Sequence, residues 1–359
     1  MGFKYILIFI LFFLCLVLPL EPLVRIPKYI LMIILTLYCK NLSFFKNKNF
    51  FYFICIILFF SCYGYLNSAG DLINNIQVYL IMPFFYSWII LFKDYKVQSI
   101  FIFNVVISVI LTVLLMFIFQ SLDLNHFQLN TIAESSVRYS YNSITNEFSF
   151  PLFNVLPFTL SFIIIYFGKN NWYKGFLISI SLLISFYTGR KGVFLGISLV
   201  SVLIILENYN IYLKYIILLL ASIFSIIFIS MNFSIYDLDY HRFTQYSSLM
   251  NMWQENILIG HGLGAHTDLI RNIQKPSSYE LFYLSLLNQI GVIGLLFFVD
   301  YFNRFVLFRS SNIFVRSVQY GIIAVLISSF TNPYFDRFDF LFLIFIPFIL
   351  KNDKQKITT

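Results

Sequence analysis

Charged residues are scarce in this sequence. Only 11% of its 359 residues are Asp, Glu, Lys or Arg, whereas 60% are hydrophobic. Soluble domains carry about 25% charge, so the composition excludes an ordinary soluble fold. Apolar runs of the roughly 20 residues needed to cross a bilayer recur along the chain, and they lack the alternation of barrel strands. The sequence therefore predicts an all-α polytopic integral membrane protein, with residues 1–359 forming a single transmembrane domain.

Several chemical signatures are also missing. The four cysteines have no spacing typical of a zinc site or a disulfide framework. There is no Walker A or Rossmann glycine pattern for a nucleotide, and no aspartate-rich cluster for a divalent ion. We therefore expect no cofactor and a metal-independent protein. No A-x-A cleavage site follows residues 3–20, which predicts an uncleaved first span.

The apolar runs predict about twelve spans. Placing the N-terminus in the cytoplasm puts most of the 24 basic residues, chiefly lysines, into short cytoplasmic loops and leaves both termini inside. The net charge of +8 thus reports topology in an inner membrane rather than nucleic-acid binding. The predicted spans are 3–20, 28–43, 50–66, 72–92, 98–119, 151–168, 173–188, 191–206, 211–231, 281–299, 317–331 and 338–350.

Arginine dominates the basic residues on the predicted outer side. Arginine presents a planar fork that suits phosphate and carboxylate groups, whereas lysine suffices as an orientation signal. This bias indicates an anionic ligand outside, although pairing with outer acids explains any single arginine equally well. The outer basic residues are Arg25, Lys28, Arg138, Arg190, Lys191, Arg242, Arg271, Lys275 and Arg337.

Two outer loops are long, at about 120–150 and 232–280, and loops of this length are usually functional or disordered. The second is aromatic-rich and contains the glycine run 260–264, so we expect it to be ordered, with short helices at the membrane surface. Between two spans, 188–192 reads Thr-Gly-Arg-Lys-Gly. Its cations Arg190 and Lys191 either snorkel to lipid headgroups or bind a lipid-linked phosphate.

An ordered set of short motifs extends over roughly residues 150–300. The Thr-Gly-Arg-Lys-Gly turn is followed by Tyr-His-Arg-Phe at 240–243, Trp253, the Gly-His-Gly-Leu-Gly run at 260–264, and a span beginning near Glu280 that carries Gly-Val-Ile-Gly at 291–294. This order resembles the superfamily of O-antigen polymerases and O-antigen ligases, with a GT-C-like helical fold. Each motif is a loose match, and the resemblance rests on their sequence along the chain.

The resemblance implies roles for particular residues. Arg190 and Arg242 match the superfamily's arginines, which would stabilise a departing diphosphate, and Gly262 and Gly264 match its glycine turn. Glu280 falls where ligases have a catalytic histidine, which favours a polymerase whose carboxylate takes the acceptor's proton. A helix N-terminal acid is the alternative reading of Glu280. Arg138, Arg271 and Arg337 are further candidates for glycan or phosphate contacts, with ordinary surface ions as the alternative interpretation. The full set of candidate substrate contacts is Lys191, His266, Arg271, Arg138, Arg337, Trp253, Gly262 and Gly264.

The implied activity is an O-antigen polymerase, a glycosyltransferase of lipopolysaccharide or similar polysaccharide biosynthesis. It joins repeat units carried on undecaprenyl diphosphate at the periplasmic face of the bacterial inner membrane. The expected partners are this lipid-linked oligosaccharide and membrane lipid; a chain-length regulator stays an open question. His266 keeps a ligase acting on lipid A core as an alternative, and a flippase for the lipid-linked sugar is the non-enzymatic alternative.

Overall fold

The computed structural model describes most of the predicted spans and parts of both long outer loops. It covers residues 2–18, 25–39, 48–67, 85–122, 137–138, 141–142, 147–148, 152–153, 155–169, 171–188, 191–206, 240–269, 279–306, 308–330, 340 and 342–355.

The described chain is helical apart from two very short antiparallel strand pairs. The helices are α1 Phe3–Phe12, α2 Arg25–Cys39, α3 Lys48–Leu66, α4 Tyr95–Leu122, α5 Leu156–Phe167, α6 Asn171–Tyr187, α7 Lys191–Leu206, α8 Tyr240–Glu255, α9 Phe282–Tyr301, α10 Ile313–Ser328 and α11 Phe345–Gln355. Single π turns at Phe13–Val17 and Phe302–Val306 extend α1 and α9, and a 3₁₀ turn at Ile90–Lys93 precedes α4.

Two of the described helices are long and apolar enough to cross a membrane, namely Tyr95–Leu115 and Phe282–Arg304. Seven further apolar helices are shorter, and they are Phe3–Val17, Ile26–Cys39, Phe50–Leu66, Leu156–Phe167, Trp172–Tyr187, Gly192–Leu206 and Ile313–Ser328. The helical class expected from the sequence is confirmed, and the two long helices are compatible with membrane insertion.

Helix α10 forms the centre of the bundle and packs along α5 and α7. Small residues let the backbones approach, as is usual between membrane helices. A Cβ on Gly196 of α7 would lie 2.8 Å from the carbonyl oxygen of Ala324, and one on Gly321 would meet the ring of Phe158. Asn312 caps the start of α10, because its side-chain oxygen accepts from the N–H of Phe314 at 2.9 Å.

Aromatic rings fill the space beside this group of helices. Phe101 of α4 stands edge-on to Phe12 of α1, with ring centroids 5.2 Å apart, and contacts Phe314 of α10 at 5.8 Å. All three are buried. Aromatic pairs in such offset or edge geometry contribute about 0.5–1.5 kcal/mol beyond the area that they bury. The rings therefore join α1, α4 and α10 in one core.

Polar contacts connect helix ends that the sequence assigns to the same side. Among the predicted cytoplasmic residues, the Tyr5 hydroxyl donates to Oδ2 of Asp94 at 2.7 Å, and Lys351 donates to the carbonyl oxygen of Arg304. Among the predicted outer ends, the Tyr283 hydroxyl donates to the carbonyl oxygen of Leu326 at 2.6 Å. These contacts fit the alternating topology deduced from the charges.

The long loops are more structured than simple connections. In the first, Tyr141–Asn142 pairs with Glu147–Phe148, and Val137–Arg138 pairs with Leu152–Phe153, which lies just beyond the loop. The second contains the sixteen-residue helix α8, which is longer than the short helices expected there.

Three predictions about spans need adjustment. The span predicted as continuous over 281–299 is interrupted at Gly291. Lys28, placed in an outer loop by the sequence, is fully buried within the first turn of α2. The predicted span 338–350 begins with turns at 342–344 and becomes an α-helix only at Phe345. The predicted span 211–231 and residues 72–84 of the span 72–92 lie outside the described residues.

Candidate functional site

Helix α9 is broken in its interior. Gly291 has φ 63° and ψ −174°, a conformation with the positive φ that L side chains rarely adopt. The break divides α9 into a first part that ends near Ile290 and a second part that continues to Tyr301. Such a break leaves backbone donors and acceptors without helical partners. In a membrane helix these groups have to be satisfied by other parts of the protein.

The glycine-rich loop between α8 and α9 satisfies them. The N–H groups of Val292 and Ile293 donate to the carbonyl oxygens of Ile257 and Leu258, both at 3.0 Å. In the opposite direction, the N–H of His261 donates to the carbonyl oxygen of Asn288 at 2.9 Å. The N–H of Gly262 likewise donates to Gln289 O at 2.8 Å. Residues 257–262 therefore complete both ends of the broken helix.

The same loop also contacts the end of α3. Gly262 has φ 93°, and a Cβ there would overlap the backbone of Gly64. The N–H of Leu263 donates to the carbonyl oxygen of Phe60 at 2.9 Å. Three backbone segments thus meet without intervening side chains. The sequence predicted a glycine turn here, and the structure shows that this turn joins α3 to α9.

One imidazole is fixed inside this junction. Nδ1 of His261 lies 3.0 Å from Oδ1 of Asn288. The amide of Asn288 is buried, and its Nδ2 donates to the carbonyl oxygen of Leu249 at 3.2 Å. On the other side of the ring, Nε2 of His261 lies 3.7 Å from Oε2 of Glu255 at the end of α8. The ring thus has an oxygen facing each of its nitrogens.

The neighbouring residues extend the network. Oε1 of Gln289 accepts from the N–H of Gly264 at 3.0 Å, and its Nε2 donates to the hydroxyl of Ser285 at 3.0 Å. Nδ1 of His266 lies 3.1 Å from the carbonyl oxygen of Gly264. A carbonyl only accepts, so this nitrogen carries the hydrogen. Nε2 of His266 makes no contact that the described part of the chain shows.

Two hydrogen bonds hold the chain at Glu280, one made by its own backbone and one by the side chain of the preceding residue. Its own N–H donates to Oε1 of the buried Gln245 in α8 at 3.4 Å. The preceding residue, Tyr279, is buried, and its hydroxyl accepts from the N–H of Thr267 at 2.9 Å. The same hydroxyl lies 3.1 Å from Oγ1 of Thr267. Glu280 as a whole is partly buried, and it lies two residues before α9 begins.

Arg242 belongs to the helix that contacts the backbone of Glu280, since Arg242 and Gln245 both lie on α8. Arg242 precedes Gln245 by three residues, and positions three apart are neighbours on a helix surface. Trp253 lies on the same helix, with its indole N–H buried and without a hydrogen-bond partner in the part of the chain that the structure describes. Two of the three predicted catalytic residues therefore belong to one packed unit of α8 and the start of α9.

For the other predicted site residues, the structure gives at most the helix or strand to which they belong. Lys191 is the first residue of α7, and Arg138 pairs with Leu152 in the first strand pair. Arg190, Arg271 and Arg337 lie outside the described residues. In the part of the chain that the structure describes, no group of three His, Cys, Asp or Glu side chains comes together as metal ligands.

Sequence reasoning missed the side chains that organise this junction. It placed His261 inside the glycine run of the second outer loop and gave no role to it or to Asn288, Gln289, Gln245 and Glu255. A signal was available, because two consecutive amides inside a predicted span are expensive in lipid and have to find partners. Nothing in the sequence identified the glycine loop as that partner.

The chain matches no protein-family model, no curated protein sequence and no solved structure.

Proposed function

We propose that this protein polymerises lipid-linked glycan repeat units at the outer face of the bacterial inner membrane. In this proposal it is a multi-pass protein of about twelve spans with both termini in the cytoplasm. The substrates are two oligosaccharides carried on undecaprenyl diphosphate. The reaction transfers one growing glycan from its diphosphate to a sugar hydroxyl of the other.

The observation that carries the proposal is the contact between Gln245 and the backbone of Glu280. It joins a carboxylate at the start of an apolar helix to the helix that bears Arg242. Glycosyl transfer from a lipid diphosphate needs a base for the acceptor hydroxyl and cations for the departing diphosphate. Glu280 is assigned as the base, and Arg242 together with Arg190 as the cations.

The arrangement of helix ends supports an outer location for this site. The junction contacts α3 at Gly64, near the helix end that the charge pattern places outside. Tyr283, at the start of α9, donates to Leu326 near the predicted outer end of α10. A lipid-linked substrate would approach such a site from the membrane, with its diphosphate at the boundary.

A deletion strain tests the proposal. Loss of the gene is expected to leave lipid A core bearing a single repeat unit, and the plasmid-borne gene restores the ladder of longer chains. Glu280→Gln, Arg190→Ala and Arg242→Ala are expected to accumulate normally in the membrane and to fail to restore the ladder. Tyr173→Phe, at an exposed position on α6, serves as the control that restores it.

The same strain separates the alternatives. Accumulation of long lipid-linked polymer in the deletion strain would identify a ligase, whose donor is the finished chain. Loss of even the single capped unit, without such polymer, would identify a flippase. The flippase is the second candidate because α9 is discontinuous, and broken helices form substrate sites in many transporters.

A further inference from the structure

The imidazole of His261 is a titratable group inside the junction between α8 and α9, with an oxygen facing each of its nitrogens. Its backbone is held between Gly260 and Gly262, and its N–H is bonded to the carbonyl oxygen of Asn288. Its side chain is 16% exposed, so a substrate atom can still reach the ring. In the proposed glycosyl transfer, Glu280, Arg190 and Arg242 have roles and His261 has none.

The hydrogen positions on the ring follow from its neighbours. Nδ2 of Asn288 donates to the carbonyl oxygen of Leu249, which leaves Oδ1 of that amide facing the ring. Nδ1 of His261 is therefore the donor in this contact. Its other nitrogen, Nε2, faces the carboxylate of Glu255. Nε2 and Oε2 of Glu255 are 3.7 Å apart, which is within ion-pair distance but too long for a hydrogen bond.

We propose that His261 is the general acid that protonates the departing lipid diphosphate, with Asn288 orienting the ring and Glu255 holding the proton at rest. This inference rests on the proposed glycosyl transfer. Glu255 is suited to a temporary contact, since its side chain is 73% exposed and its oxygen lies 3.7 Å from Nε2. An incoming phosphate oxygen can replace it.

The protons and electrons of the step balance. The acceptor oxygen attacks the anomeric carbon, and the bond from that carbon to the diphosphate oxygen breaks, leaving its electron pair on the oxygen. The acceptor's proton passes to the carboxylate of Glu280, and the proton on Nε2 of His261 passes to the diphosphate. Water then returns a proton to His261 and takes one from Glu280, so the protein is unchanged.

The spacing along α9 is consistent with a general acid and a general base at two different positions. Asn288 lies six residues after Phe282, which corresponds to about 9 Å along a helix axis. Inverting glycosidases, which also pair an acid with a base across a sugar, keep the two about 6.5–9.5 Å apart. Asn288, which faces the ring of His261, and the start of α9, next to Glu280, are therefore separated along the helix by a distance within that range.

Two variants test the assignment in the deletion strain. His261→Ala removes the ring. His261→Asn keeps an N–H that can reach Asn288 but has no transferable proton. Both are expected to accumulate in the membrane and to shorten the ladder, with a rate loss on the order of 10²-fold or more. Gln254→Ala, exposed on α8 beside Glu255, is the matched control with a normal ladder.

Imidazole in the growth medium separates an acid from a structural residue. It is expected to restore the ladder in the His261→Ala strain, because the free ring can occupy the vacated space and carry the proton. A normal ladder in either variant would overturn the assignment. So would a loss that imidazole does not repair, or the absence of both variants from the membrane. If deletion of the gene leaves the ladder intact, the polymerase proposal itself fails.

Discussion

Gly262 lies against Gly64 so closely that a Cβ on either residue would meet the other's backbone segment. The first belongs to the loop that completes the broken helix α9, and the second lies near the end of α3. This pair explains why position 262 has to be glycine, since a methyl group there would separate α3 from the loop.

Gly262→Ala is therefore expected to destabilise the protein by about 2–4 kcal/mol, from backbone strain at positive φ and from overpacking. The measurement is thermal unfolding of the purified protein in detergent. Gly175→Ala is the matched control, because a Cβ at Gly175 meets nothing within 4 Å. An unchanged melting temperature for Gly262→Ala would mean that α3 and the loop are not held together in this way.

Tyr279 holds the chain next to Glu280, because its hydroxyl is hydrogen-bonded to Thr267. Tyr279→Phe removes the acceptor of the Thr267 N–H, and leaving a buried donor unsatisfied costs about 1–3 kcal/mol. We expect a lower melting temperature together with a shorter polysaccharide ladder, because the neighbouring carboxylate loses its support. Tyr38→Phe, at an exposed tyrosine of α2, should change neither quantity. If Tyr279→Phe lowers the melting temperature but still gives a normal ladder, this contact does not position Glu280.

Gln245 connects α8 to the backbone of Glu280, and Gln245→Ala removes that acceptor. The variant is expected to reduce polymerisation by about tenfold without loss of membrane abundance, since a small misplacement of a catalytic group is costly. Gln245→Glu keeps an oxygen at the position of Oε1 and should restore part of the activity. If both variants behave alike, the contact does not position Glu280.

Asp94, among the predicted cytoplasmic residues, makes the stability of the protein depend on pH. The pKa of Asp94 is lowered. The main cause is the hydrogen bond from the Tyr5 hydroxyl, and the Lys96 N–H and Lys4 contribute less. A lowered pKa stabilises the fold above the ordinary value of 3.8, and this contribution is lost as the pH falls through the lower native value. Tyr5→Phe should therefore melt earlier than the parent at pH 7, and the difference should shrink below pH 3.8. A difference that stays constant with pH would show that Asp94 is not the group involved.

The proposed topology can be tested by labelling. In a variant without the four native cysteines, Gln254→Cys is expected to react with a membrane-impermeant maleimide in spheroplasts. Lys96→Cys should react only after the membrane is permeabilised. Both positions are exposed in the structure, so burial does not hide either thiol. Labelling of both from the same side would refute the alternation of spans between them.

Part of the site was predictable and part was not. The order of motifs along the chain drew attention to Glu280 and the glycine run, and the structure places both segments in contact with α8 or α9. The junction of Gly262 with Gly64 was not, since nearly 200 residues separate them and no local pattern encodes the pairing. The break at Gly291 was equally hidden, because a glycine in an apolar run also suits close helix packing.

The sequence by itself determined the helical class, the apolar segments and the asymmetry of charge, because these depend on composition and on short-range periodicity. Only the tertiary structure decided that a loop completes the broken helix and that Asn288 fixes the ring of His261. Those contacts depend on where buried amides and unpaired backbone groups find partners in space. The residues that satisfy them lie on different segments of the chain.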